Sequence, residues 1–157
     1  MTLYTPVLWF YAVMVSLVFG ASAYEALIVH PAWSRKPPES LRGFVGTPVS
    51  RMNIRAFWVP MAPLYAVSAL AALGLAFRAG SQGVALVVSS ACAVAAVAWT
   101  LLYFRPTIER FLGAGGGSTP TEHLQIEVRR WIQLNWIRVG LVAISWWGAL
   151  GAVAGHG

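Results

Sequence analysis

Residues 84–104 read VALVVSSACAVAAVAWTLLYF and carry no charged side chain. As an α-helix rising 1.5 Å per residue, such a run reaches roughly 30 Å, the thickness of a bilayer's hydrocarbon core. It ends before Pro106. Just upstream, Arg78-Ala79-Gly80-Ser81-Gln82-Gly83 is a tight connection to a second apolar run from about Phe57 to Phe77. Pro60 and Pro63 fall in the first turns of that run, where a missing N–H costs least. The two runs therefore read as an antiparallel hairpin. A first run extends from about Pro6 to Ile28, and Val29-His30-Pro31 is expected to end it, because proline disfavours helix at the residue before it. A last helix covers about Glu122 to Val153, with Thr121 as N-cap and Pro120 before it, and enters the membrane near Trp131. The expectation is an all-α chain: one domain over residues 1–157, an antiparallel up-down-up-down four-helix transmembrane bundle with spans near 6–28, 57–77, 84–104 and 131–153.

Composition agrees. Apolar residues make up 58% of the 157, charged residues only 10%, and the mean hydropathy is +0.66. A soluble domain carries about 25% charged residues, so lipid must replace water around most of this chain. The net charge of +6 sits in the loops between apolar runs, where anionic lipid head groups are the natural counter-charge. No basic stripe with interleaved aromatics lies outside the spans, so no nucleic acid is expected as a partner. The single cysteine, Cys92, lies within an apolar run, which rules out an internal disulfide and reads as a small packing residue. Ala21-Ser22-Ala23 has the small-x-small look of a processing site. No Lys or Arg precedes the first run, however, and the run is long, so it reads as a retained span.

Nine of the eleven Lys and Arg residues fall in two loops: Arg35, Lys36, Arg42, Arg51 and Arg55 in the first, Arg105, Arg110, Arg129 and Arg130 in the third. With four spans these loops share a side. The positive-inside rule makes that side the cytoplasm, leaving both termini outside, in a bacterial cytoplasmic (inner) membrane. Trp9, Trp58, Trp99 and Trp131 stand near span ends, as interfacial anchors do. Within the long first loop, Pro38 to Phe44 is expected to form a short interfacial turn or helix, and Gly113-Ala114-Gly115-Gly116-Gly117-Ser118 a flexible linker.

Ionisable residues inside spans carry the most information, since each costs several kcal/mol unless paired. Glu25 and Arg138 lie at similar depth on the basic side, roughly 7 Å and 10 Å along the helical rise from their span ends. An ion pair between them would neutralise both. In the last helix, Glu127, Trp131, Asn135, Arg138 and Val142 share one face, opposite Ile132, Trp136, Val139 and Ala143. On the first helix, straight α-helical spacing puts Glu25 with Leu17, Ala21 and Ile28, next to Tyr24. His30 and His123 lie near the same membrane edge. One end of the bundle thus gathers Tyr24, Glu25, His30, Glu127, Asn135 and Arg138. A purely structural latch would use the same residues, because polar groups also hold helices together in lipid.

Other chemistries fit less well. No Glu-x-x-His or His-x-x-x-His spacing is present, and Glu122-His123 are adjacent, so no metal site is expected. Haem would have to rest on His30 and His123, both at the membrane edge, and no cofactor is evident. There is no Gly-x-Gly-x-x-Gly loop, and Gly115-Gly116-Gly117 lacks the lysine of a phosphate-binding loop. Gly151-x-x-x-Gly155, and Ser16 four residues before Gly20, suit close helix contacts.

Three segments, Tyr24-Glu25-Ala26-Leu27-Ile28-Val29-His30-Pro31-Ala32-Trp33, Arg105-Pro106-Thr107-Ile108 and Trp131-Ile132-Gln133-Leu134-Asn135-Trp136-Ile137-Arg138, resemble the anthrone-oxygenase-like family of small four-span membrane proteins. The set Trp131, Asn135 and Arg138 is the most specific part of the likeness. Ile108 departs from it, since many relatives carry Asn there, so the resemblance brings no catalytic role to the third loop. It implies oxidation of a polycyclic anthrone to a quinone by dioxygen without an evident cofactor. Glu25 or His30 would serve as base, Arg138 and Asn135 would hold the oxyanion, and Trp131 and Tyr24 would stack on a flat ring. The expected function is a membrane-embedded binding or redox protein for a lipophilic aromatic or quinone-like small molecule. The contrasting one is a non-catalytic accessory subunit of an electron-transfer or photosynthetic complex, with other membrane proteins or copies of itself as partners.

Overall fold

The computed structural model describes residues 4–37, 39–42, 54–78, 83–114 and 121–155, nearly all of them helical and none in a strand. The helices are α1 (Tyr4–Tyr24), α2 (His30–Trp33), α3 (Glu39–Arg42), α4 (Ile54–Arg78), α5 (Val84–Trp99), α6 (Arg105–Ala114) and α7 (Thr121–Ala154). Four helical stretches are long and apolar enough to cross a membrane: Tyr4–Trp33, Ala56–Arg78, Val84–Phe111 and Glu122–Ala154. Only 28% to 39% of the most apolar stretch of each is buried within the protein. Leu17, Val67, Leu70, Phe77, Leu102 and Trp147 point outward uncovered, a surface that water would not tolerate and lipid would.

The long helices pack in a ring, α1 on α4, α4 on α5, α5 on α7 and α7 back on α1. Each turns one stripe inward at helical spacing: Leu8, Tyr11, Ala12, Val15, Val18 and Ser22 on α1, and Leu86, Ser89, Ser90, Ala93 and Ala96 on α5. Small residues on the stripes of α4 and α5 let backbones approach, and van der Waals contact between them replaces the hydrophobic drive that lipid removes. The approach is tightest where α5 crosses α7. A Cβ on Gly148 would come within 2.8 Å of the Ser89 Cβ. Tyr11 bonds Ser145 while His30 bonds Asn135, so α1 and α7 run in opposite directions.

Two prolines expected to stop helices do not. The first helix continues through Glu25–Val29, wound as a π-turn, into α2, and α5 continues through Thr100–Phe104, also wound as a π-turn, into α6. In the first, the His30 N–H bonds the Glu25 carbonyl; in the second, the Arg105 N–H bonds the Thr100 carbonyl. Both donors immediately precede a proline, Pro31 and Pro106. A proline ring clashes with the carbonyl four residues before it in a regular α-helix. Widening the turn opens that crowded position, and the helix carries on past the proline. α4 likewise begins at Ile54, so Pro60 and Pro63 lie inside it rather than in its first turn. α7 begins at Thr121 itself. α3 forms within the expected Pro38–Phe44 segment, tied to the end of the first span by the Ser40 hydroxyl, which donates to the Trp33 carbonyl at 2.6 Å. The tight connection at 79–82 and the glycine run at 115–118 lie outside the described residues.

Candidate functional site

At one end of the bundle α2, the π-turn at 100–104 and α7 bring a polar chain into an aromatic shell. Inserting one residue into a helix rotates everything after it by about 100°. The π-turn at 25–29 thereby carries His30 and Trp33 inward, while Leu27 and Ile28 stay exposed. His30 Nδ1 lies 3.1 Å from Asn135 Nδ2, and Arg138 Nε donates to Asn135 Oδ1 at 2.9 Å. Arg138 Nη1 donates to the Thr100 hydroxyl at 3.4 Å, and the guanidinium carbon sits 5.2 Å from the centre of the Phe104 ring. Thr100 in turn donates to the Ala96 carbonyl.

This chain fixes a tautomer. Arg138 Nε–H can only donate, so it holds the carbonyl oxygen of the Asn135 amide on its own side. The amide nitrogen then faces His30, and it too can only donate. His30 Nδ1 therefore accepts, and the ring proton resides on Nε2. Asn135 acts as a coupling that sets the orientation of both neighbours.

The aromatic shell is continuous. Trp131 stands edge-on to His30 with centroids 4.9 Å apart and to Phe104 at 5.3 Å, and its indole N–H donates to the Phe104 carbonyl at 3.4 Å. Trp33 lies 5.1 Å from His30 and 5.6 Å from Trp131.

The structure brings His30, Trp131, Asn135 and Arg138 together and leaves others apart. Glu25 and Arg138 do not form the expected ion pair. The Glu25 carboxylate accepts the Trp58 indole N–H at 2.5 Å, across the α1–α4 seam, and it interacts with Arg138 only as a through-space charge. The expectation rested on equal depth, which fixes height along the bundle axis but not the side of the helix. Straight α-helical phase had also grouped Glu25 with Leu17 and Ile28, both of which face outward. Tyr24 is 51% exposed on the outer face. Glu127 meets His123 at 3.6 Å near the surface. Trp33, Thr100, Phe104 and Trp58 were not singled out for the site. The only sequence signal for the first three is their position against the two X-Pro steps.

The anthrone oxygenase family model matches residues 52–147, which hold α4 through most of α7 and so three of the four spans. The chain belongs to the anthrone oxygenase family. No curated protein and no solved structure matches it. The matched stretch contains Thr100, Phe104, Trp131, Asn135 and Arg138 but not Glu25, His30 or Trp33, so this family member's polar chain begins inside the matched region and is completed by a first helix outside it.

Proposed function

We propose that the protein is a membrane-embedded, cofactor-free oxygenase acting on a lipophilic anthrone-like or phenolic ring at the His30–Asn135–Arg138 end of the bundle. One observation carries this reading. Arg138 is a guanidinium only 8% exposed at membrane depth, and among the described residues it bonds neutral groups alone. A cation held there without a bonded anion is costly. An anionic ligand would offset that cost, and an anthrone enolate is such a ligand.

The chemistry balances without an external reductant. The Glu25 carboxylate, set apart from Arg138 beside Trp58, takes a proton from the ring CH2, which lies across the central ring from the oxygen, and the enolate oxygen settles on Arg138 and His30 Nε2–H. The enolate carbon passes one electron to dioxygen, and the two radicals combine to form a C–O bond and a peroxide anion. Glu25 returns its proton to that peroxide. Loss of the second C–H proton with cleavage of the O–O bond leaves a carbonyl and water, so anthrone plus dioxygen gives quinone plus water. Asn135 orients His30 and Arg138, and Trp131 offers a ring wall. Tyr24 is left to the lipid. The His30 tautomer makes it a donor here, which leaves Glu25 as the base. The bilayer dissolves both substrate and dioxygen.

By the distribution of Lys and Arg, we assign the site end to the cytoplasmic leaflet of a bacterial inner membrane, with both termini outside. A C-terminal reporter active only in the cytoplasm would overturn that assignment. For the reaction, protein in nanodiscs is supplied with anthrone, and dioxygen uptake is followed with quinone absorbance. The expected result is one dioxygen consumed per quinone, well above the rate in protein-free nanodiscs. Equal rates with and without protein would remove the oxygenase reading and leave an accessory subunit.

A further inference from the structure

Around His30, Trp33 and Arg138 the acceptors are spent and donors are left over. Asn135 Oδ1 and the Thr100 hydroxyl oxygen accept from Arg138, His30 Nδ1 accepts from Asn135, and the Phe104 carbonyl accepts from Trp131. Against these, three of the five guanidinium N–H groups of Arg138 have no partner among the described residues, and neither does His30 Nε2–H. The Trp33 indole N–H is buried with no hydrogen-bond partner at all, in a side chain 2% exposed. A buried donor without an acceptor costs about 1–3 kcal/mol. Many such groups in the bundle are provided for: Ser16, Ser68, Ser90 and Thr100 turn back onto carbonyls of their own helices, and the indoles of Trp58, Trp131 and Trp146 all have acceptors. The Ser22 and Tyr65 hydroxyls are also buried without a partner, but of these groups Trp33 is the one in ring contact with His30.

We infer that Trp33 is a specificity-determining residue of this site: its N–H, with the spare donors of Arg138 and His30, selects a flat ligand bearing acceptor oxygen over one of the same outline bearing none. The inference rests on the site proposed above and narrows its ligand to rings whose carbonyl or enolate oxygen accepts from these donors. The cost that the unliganded protein bears at Trp33 is released when an acceptor arrives, so the donor discriminates without adding contact area.

The test uses binding and does not depend on turnover. Protein in nanodiscs is titrated with anthraquinone and with anthracene, which has the same three-ring outline and no oxygen. Affinities are corrected for partition into empty nanodiscs. Wild type should bind anthraquinone at least tenfold more tightly. Trp33→Phe keeps an aromatic ring and removes the N–H. It should weaken anthraquinone roughly fivefold to tenfold, the worth of one hydrogen bond, and leave anthracene unchanged. Thermal unfolding of the ligand-free variant should stay within a few degrees of wild type, because relief of the unpaired donor offsets the packing lost with the smaller ring. An unchanged preference for anthraquinone in Trp33→Phe, or equal weakening of both ligands, would overturn the inference. Should Trp33→Phe fail to fold, Trp33→Leu and Trp33→Tyr serve in its place, and loss of preference in neither would be equally decisive. Selective binding without quinone formation would sink the oxygenase reading and spare this one; turnover with a neutral Trp33→Phe would do the reverse.

Discussion

Two polar clusters lie in this bundle, and they are built on opposite plans. Toward the N-terminal end of α1, the Tyr11 hydroxyl bonds the Ser89 and Ser145 hydroxyls at 2.9 and 2.8 Å, and Ser89 also donates to the Ser145 carbonyl at 2.5 Å. All three side chains are fully buried, neutral and mutually bonded, and they join α1, α5 and α7 at a single point. The other cluster, around His30, Asn135 and Arg138, holds a charge and ends with donors unspent. The first cluster is neutral and bonds within itself, and it holds three helices at a fixed distance. The second is satisfied only in part, which marks a place where something else is meant to bind. Polar residues within a membrane have both uses, and what separates them is whether donors and acceptors balance.

Arg138→Gln should break the contrast most sharply. It keeps a polar side chain and removes the charge and most of the donors. Loss of an anion-stabilising donor typically costs about 100-fold to 1000-fold in rate, so quinone formation should fall at least about 100-fold while the protein still purifies from the membrane. Tyr11→Phe, assayed beside it, should leave the rate within about twofold and lower the melting temperature instead, since it strands the buried Ser145 hydroxyl. A reversed pattern would mean that the two clusters have been assigned the wrong roles.

Gly148→Ala should produce the next largest effect, on stability alone. The added methyl would meet the Ser89 Cβ at 2.8 Å and the Ala85 carbonyl at 3.1 Å, and neither is a flexible side-chain tip. Overpacking of this kind costs about 1–3 kcal/mol, and it should appear as a lowered melting temperature in detergent with the rate per folded molecule retained. An unaltered melting point would show that the α5–α7 crossing can open at no cost.

The smallest expected effect is the coupling of Glu25 with Arg138. With no ion pair between them, Glu25→Gln and Arg138→Gln should act on thermal stability almost additively, with an interaction energy below about 0.5 kcal/mol. A double-mutant cycle for Asn135 and Arg138, which share a 2.9 Å bond, should give a larger value. If the Glu25–Arg138 term proved the larger of the two, the charges would have to meet directly in solution.

The four spans and the inward face of α7 are legible in the sequence because both rest on periodicity and on the absence of charge, which are properties of a segment by itself. Trp131, Asn135 and Arg138 share a face at spacings of four and three, and that is where the structure has them. Glu25 was not legible. Its partner, Trp58, lies on another helix at the same depth, and nothing in a single helix's pattern distinguishes it from Arg138. Trp33 was missed for a related reason. It follows a His-Pro step that reads as a helix end, so its place after the π-turn, turned toward His30, is visible only once the helix is known to continue.

Each π-turn also separates two kinds of constraint. Along an uninterrupted helix, the residues that face lipid fix by phase alone which residues face inward at the far end. A single wide turn resets that phase. The last stretch of the first span, His30 to Trp33, and the stretch beginning at Arg105 can then follow their own inward pattern, whatever the apolar helix before them requires. Changes in the site end need not propagate into the membrane-facing pattern, and drift among lipid-facing residues need not disturb the site. A small bundle can in this way vary what it binds while keeping the same anchor.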